Sequence, residues 1–176
     1  MIRYDKIIFV CTGNTFMSPV AEAIYREKAP VWMPTPYSRG LVVLFQEPIS
    51  PKVNLLLSKH EIQASDHAQS KQLEAEEITE STLLLTMTLS EKVQLMEEFG
   101  TEGHIYTMGE YTGEETDVTD PYGTEDEQYE KCFEELFGRI DLVIEKMDTE
   151  YHNEESKETV SEEEQQNGGQ DDSIGQ

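Results

Sequence analysis

The most constraining feature of the chain is the segment Lys6-Ile7-Ile8-Phe9-Val10-Cys11, together with the loop and helix chemistry directly after it. The run from Ile7 to Cys11 shows no alternation, so it reads as a strand buried on both faces, central in a parallel sheet. It passes into loop chemistry at Thr12-Gly13-Asn14-Thr15, then Ser18-Pro19 and the helix formers Val20 to Arg26. Serine as N-cap and proline at the first helical position predict a helix start there. Open parallel sheets place their sites at the carboxyl ends of strands. A ring of backbone N–H groups around Cys11 would cradle an anion or stabilise a thiolate.

The pattern repeats in outline. Tyr37-Ser38-Arg39-Gly40-Leu41 is expected as a short or edge strand ending at Gly40, and Pro51 with Val53, Leu56 and Leu57 as a second helix. Thr82 to Met87 reads as a buried strand preceded by an acidic helical segment from Glu74 to Glu80. Ser90 is expected to cap a helix ending at Gly100, and His104 to Met108 to form a fourth strand. A long loop from Gly109 to about Asp126 comes next, of a kind usually functional. A last helix, Glu127 to Met147, is apolar on one face. Alternating strands and helices imply an α/β domain, a four-stranded parallel sheet with helices on both faces.

Charge narrows the function. With 13 Lys+Arg against 37 Asp+Glu, the net charge of −24 argues against nucleic acid and anionic membrane as partners. Nine acids and one base from Thr149 onward carry −8 of it, so the chain divides into a domain over 1–148 and an acidic tail over 149–176 expected to be disordered. No apolar run approaches the ~18 residues of a spanning helix, and no secretory leader is visible. Cys11 and Cys132 form no disulfide framework. A cytoplasmic location is the simplest expectation. His60, His104 and His152 have no companion at metal spacing, so no metal or cofactor is expected.

Val10 to Ala23 resembles the P-loop of the low-molecular-weight protein phosphatases: cysteine, five residues, arginine, serine or threonine, then often proline. Asp117-Val118-Thr119-Asp120-Pro121-Tyr122-Gly123 resembles that family's general-acid loop. Asp66 to Leu73 resembles its middle segment, and Leu84 to Thr88 its third strand. The resemblance implies that Cys11 is a nucleophile forming a cysteinyl-phosphate and that Asp120 protonates the leaving group and then activates water. It makes Thr12, Gly13, Asn14, Thr15, Phe16, Met17 and Ser18 the phosphate-binding loop. Asn14, Ser18, Ser38 and His67 become its supporting network, and Thr15 and Tyr122 part of the substrate cleft. Thr15 also resembles the arginine-phosphatase branch, where this threonine favours phosphoarginine.

Two positions depart from the pattern. Met17 stands where the resemblance calls for an arginine that grips two phosphate oxygens, and a thioether offers neither charge nor donors. Phe16 stands where relatives carry a second cysteine able to pair with the nucleophile. Arg39, beside Ser38, is the one candidate for a replacement cation.

The expectation is therefore a phosphatase-family monomer that is catalytically impaired, a pseudophosphatase. Its partner would be a phosphorylated protein side chain or an unidentified protein. The alternatives are an active cysteine-dependent phosphatase and a non-catalytic interaction protein. Taken alone, Cys11 is a core cysteine, Asp-Pro-Tyr-Gly a turn, His67 a hydrogen-bonded structural residue and Cys132 core.

Overall fold

The unalternating strand is β1, Lys6–Cys11, and its two faces enter two different cores. Ile7, Phe9 and Cys11 join one apolar cluster, and Ile8 and Val10 the other. The computed structural model describes residues 3–64 and 67–167. Asp66 and residues 168–176 of the tail lie outside them.

β1 pairs in parallel with β2 (Thr35–Gly40) on one side and β3 (Thr82–Thr86) on the other, and β4 (His104–Thr107) lies beyond β3. The order β2-β1-β3-β4 makes β2 an edge strand, which accords with its proline and its mixed burial. Helices α1 (Met17–Lys28) and α2 (Pro51–Lys59) and the long α5 (Asp126–Asn167) cover the first cluster. α3 (Leu89–Phe99) covers the second through Leu95.

Several boundaries differ from the sequence expectation. α1 begins at Met17, with Phe16, which has no side-chain acceptor, at the cap position, and the Ser18 hydroxyl is engaged with the Cys11 sulfur instead of capping the helix. α3 is capped by Thr88, not Ser90: Thr88 Oγ1 accepts from Glu91 N while Glu91 accepts from Thr88 N, a capping box. The acidic Glu74–Glu80 segment forms only a single 3-10 turn, Ala75–Glu77. The long loop is shortened by α4, Met108–Thr112, which has its own Thr107–Glu110 capping box.

The last helix does not stop at Met147. It continues to Asn167, through the boundary expected at 148. Tyr151 is buried there, its hydroxyl accepting from Tyr4 N at 3.4 Å and its ring lying beneath Arg3. That contact continues the Phe133, Leu136, Ile140, Val143, Met147 face by one further turn.

Candidate active site

Cys11 ends β1, and the chain turns over its sulfur. Asn14 N donates to Sγ at 3.2 Å, and Ser18 Oγ lies 2.9 Å from Sγ. The turn needs Asn14 at φ 55°, a left-handed conformation that asparagine tolerates better than most residues. Fully buried, Asn14 uses its whole amide. Nδ2 donates to Ser18 Oγ at 2.9 Å and Ser38 Oγ at 3.0 Å, and Oδ1 accepts from Lys71 N at 2.8 Å. One side chain thus ties together the loop, α1, β2 and the segment around Lys71.

The network continues inward. Ser38 Oγ donates to Glu22 Oε2 at 2.7 Å, and His67 places Nε2 3.4 Å from Ser38 Oγ and Nδ1 3.6 Å from Glu22 Oε2. Burial lowers the His67 pKa, and the Glu22 charge opposes that shift. Gly40, paired with Cys11 across the sheet, lets the loop sit close. A Cβ there would lie 2.6 Å from Val43 Cγ2 and 3.1 Å from both Asn14 Cβ and Gly13 C.

Phe16 and Met17 make the other half of the loop and are apolar in role as well as type. They are 8% and 7% exposed and belong to the larger core cluster. Phe16 meets the Tyr129 ring edge-on, centroids 4.8 Å apart. Arg39 does not supply the missing cation. Its Nε bonds both Glu77 carboxylate oxygens at 2.9 and 3.1 Å, its Nη1 bonds Ser38 O at 2.7 Å, and its guanidinium lies over Tyr37.

Burial pushes the Cys11 thiol above its ordinary value, and the Glu91 charge adds to this, against the bonds from Ser18 and Asn14. Glu91 is itself buried, held by Thr12 Oγ1 at 3.0 Å, and burial raises its pKa too. Cys132 lies within electrostatic reach of both Cys11 and Asp120, and burial drives its thiol to about 12. Buried thiols with raised pKa values are poor nucleophiles at neutral pH.

The expected residues therefore separate. Cys11, Asn14, Ser18, Ser38 and His67 meet in one bonded network. Thr12 and Thr15 are more open, and their backbone oxygens accept from Val42 N and Ser50 N, both at 2.9 Å. Asp120 and Tyr122 stand on the later loop, where Tyr122 N donates to Asp120 Oδ1 at 2.9 Å and the Tyr122 ring is 86% exposed. Among the described residues, no group of three or more His, Cys, Asp or Glu could hold a metal ion. Glu22 and Glu91 take part without having been marked by any motif. A charged residue inside an apolar helical face was the available sign for Glu22.

A β2-β1-β3-β4 parallel sheet, with a loop folded over a cysteine at the end of β1, places the molecule among the phosphatase-type α/β domains. The chain belongs to the low molecular weight phosphotyrosine protein phosphatase family, whose model matches residues 6–155. It is 37% identical over 131 residues to the low molecular weight protein-tyrosine-phosphatase PtpB of Staphylococcus haemolyticus strain JCSC1435, covering 74% of this chain and 91% of that protein. PtpB of Staphylococcus aureus is 36% identical over 135 residues, covering 77% and 94%. Among solved structures, the YwlE arginine phosphatase of Geobacillus stearothermophilus superposes with TM-score 0.75 at 31% identity, covering 84% of this chain and 96% of that one. A low molecular weight protein tyrosine phosphatase of T. tengcongensis gives TM-score 0.72 at 38% identity, with 80% and 98% covered. Among the described residues, no helix is long and apolar enough to cross a membrane.

Proposed function

We propose that this family member is a pseudophosphatase: it keeps the loop that positions the cysteine and has lost the cation that holds phosphate. One observation carries the reading. At the position where the resemblance calls for arginine, Met17 is packed into the core at 7% exposure, and Arg39, the candidate substitute, is bound to Glu77. A clamp of that kind is worth ~10³–10⁵ in rate where phosphoryl groups are transferred. The raised Cys11 pKa adds to the loss, since a thiol must ionise before it attacks phosphorus.

The latent chemistry is that of a two-step transfer. Cys11 Sγ, as thiolate, would form the S–P bond while the bond from phosphorus to the departing oxygen or nitrogen breaks, with Asp120 protonating the leaving atom. Water would then attack phosphorus, the S–P bond would break, and Asp120 would take the proton. The ligand class is a phosphorylated protein side chain, with phosphoarginine favoured by Thr15 and by likeness to an arginine phosphatase. A protein partner engaged without turnover is the form this function takes while Met17 is present.

The test is hydrolysis of p-nitrophenyl phosphate by the native chain, by Met17→Arg and by Met17→Arg/Cys11→Ser. The expected result is negligible native turnover, a gain of ~10³-fold or more in Met17→Arg, and its loss in the double variant. Ordinary family turnover in the native chain, abolished by Cys11→Ser, would establish the active-phosphatase alternative instead.

A further inference from the structure

We propose that Arg139 is a positioning residue, whose buried guanidinium clips Thr116 and Asp117 and so fixes the stretch of chain that delivers Asp120. The proposal rests on the reading of Asp120 as the proton donor and goes beyond it by naming what holds that donor in place. Arg139 lies on the apolar face of α5 between Leu136 and Ile140 and is 5% exposed. A guanidinium in such a place must be paired and fully hydrogen-bonded, or it would not stay there.

Its partners are the loop before Asp120, where the Glu114 carboxylate lies 3.8 Å from Nη1, and the Glu135 carboxylate of its own helix. Nη1 donates to Thr116 O at 2.8 Å. Nη2 donates to Thr116 Oγ1 at 2.8 Å, to Asp117 O at 3.3 Å and to Glu135 Oε1 at 2.9 Å, and Nε also reaches Glu135. Glu135, one turn earlier on the same helix, balances the charge and aims the fork. Thr116 and Asp117 are otherwise exposed loop residues.

The next links belong to the sheet. Asp117 Oδ1 accepts from Leu89 N at 2.9 Å at the start of α3, and Val118 N donates to Met87 O at 3.0 Å just past β3. Asp120 is two residues beyond Val118, a span of at most ~7 Å of extended chain. After it comes Pro121, which is buried again. Arg139 therefore closes a three-point clamp joining α5, β3 and α3 around the root of the Asp120 turn. An arginine does this where lysine would not, because its planar fork serves a carbonyl, a hydroxyl and a carboxylate at once.

Amide hydrogen exchange on the full chain tests the clamp without turnover, comparing native protein with Arg139→Met, Arg139→Lys and Thr116→Val. Thr116→Val removes one bond from the exposed loop side and leaves the helix intact. The expected result is exchange at Val118 faster by ~10-fold or more in Arg139→Met and by ~5-fold in Thr116→Val, while the Phe9 and Leu84 amides stay within ~2-fold. Arg139→Lys falls between native and Arg139→Met. Equal acceleration at Val118, Phe9 and Leu84 in both loop-side and helix-side variants would overturn the proposal, leaving Arg139 as general support.

The second arm reads Asp120 itself, in the Met17→Arg background. Adding Arg139→Met is expected to lower kcat/KM, which reads the transfer to Cys11 and not the later hydrolysis common to both substrates, ~10-fold or more on phenyl phosphate and less than ~3-fold on p-nitrophenyl phosphate, since in that first step only the poorer leaving group needs the proton. Asp120→Asn gives the same split. Equal losses of kcat/KM on both substrates would overturn the positioning role. If Met17→Arg shows no turnover, Met17 is not the sole defect of the site, and the clamp then stands or falls on the Val118 exchange contrast alone.

Discussion

Asn14 and Ser18 on one side of the β1–α1 loop, and Phe16 and Met17 on the other, are all buried, but by opposite chemistry, while Cys11 belongs to both. The first group is held by hydrogen bonds that use both donors and the oxygen of the Asn14 amide. The second contacts the core cluster that holds Ile7, Phe9 and Cys132, with Phe16 against Tyr129. The difference shows that the turn over Cys11 is held by hydrogen bonds among the protein's own groups.

Breaking the polar half should produce the largest loss of stability. Asn14→Ala leaves the Lys71 N–H and two hydroxyls short of a partner and puts a residue with Cβ but no compensating amide at φ 55°. A cost of roughly 3–5 kcal/mol is expected, read as a lower urea midpoint at unchanged m. A loss below about 1 kcal/mol would mean that the network does not set the loop.

Breaking the apolar half should cost slightly less. Met17→Ala opens a cavity in the larger cluster and should destabilise by about 2–4 kcal/mol in the same measurement. No loss at all would mean that Met17 is not core, and would remove the packing half of the comparison.

The smallest effect is one of pH. Folded Cys11 holds its proton more tightly than the unfolded chain does. Its contribution is therefore fully present below the ordinary thiol range, where the unfolded thiol ionises first, and is lost as pH climbs from there up through the raised folded value. Stability should fall over that window, by about 1.4 kcal/mol for every tenfold difference in proton affinity between the folded and unfolded thiol. Cys11→Ala should flatten the fall while leaving the share due to Cys132. In parallel, Glu91→Gln should speed alkylation of Cys11 by iodoacetamide at fixed pH, because it removes a charge that disfavours the thiolate. An unchanged or slower rate would contradict that role for Glu91.

Much of this architecture is legible in the residues themselves. A strand without alternation belongs at the centre of a parallel sheet, and the prolines at 34 and 36 put β2 at its edge. The β1 cysteine and the turn after it mark one site. What local pattern does not settle is which of two equivalent groups the tertiary structure uses. Ser18 looks like an N-cap, yet its hydroxyl serves Cys11. Ser90 and Thr88 are both good caps, and the reach of Glu91 back to Thr88 N decides between them. Arg139 is hidden for a related reason: a single charge in an apolar stripe does not reveal that its partners lie 22 and 23 residues earlier. The helix beyond Met147 rests on Tyr151, one apolar residue in an acidic stretch, too little for periodicity to register.

On the proposed pseudophosphatase reading, the loop over Cys11 keeps its shape without holding an oxyanion. Titration of the native chain with orthovanadate, followed through the backbone amide resonances of Asn14 and Ser18, tests it directly. No saturable shift is expected up to ~10 mM, whereas Met17→Arg should saturate well below ~1 mM, a difference of more than about 1.4 kcal/mol in binding. Saturation of the native chain in the submillimolar range, with those amides moving, would contradict that reading.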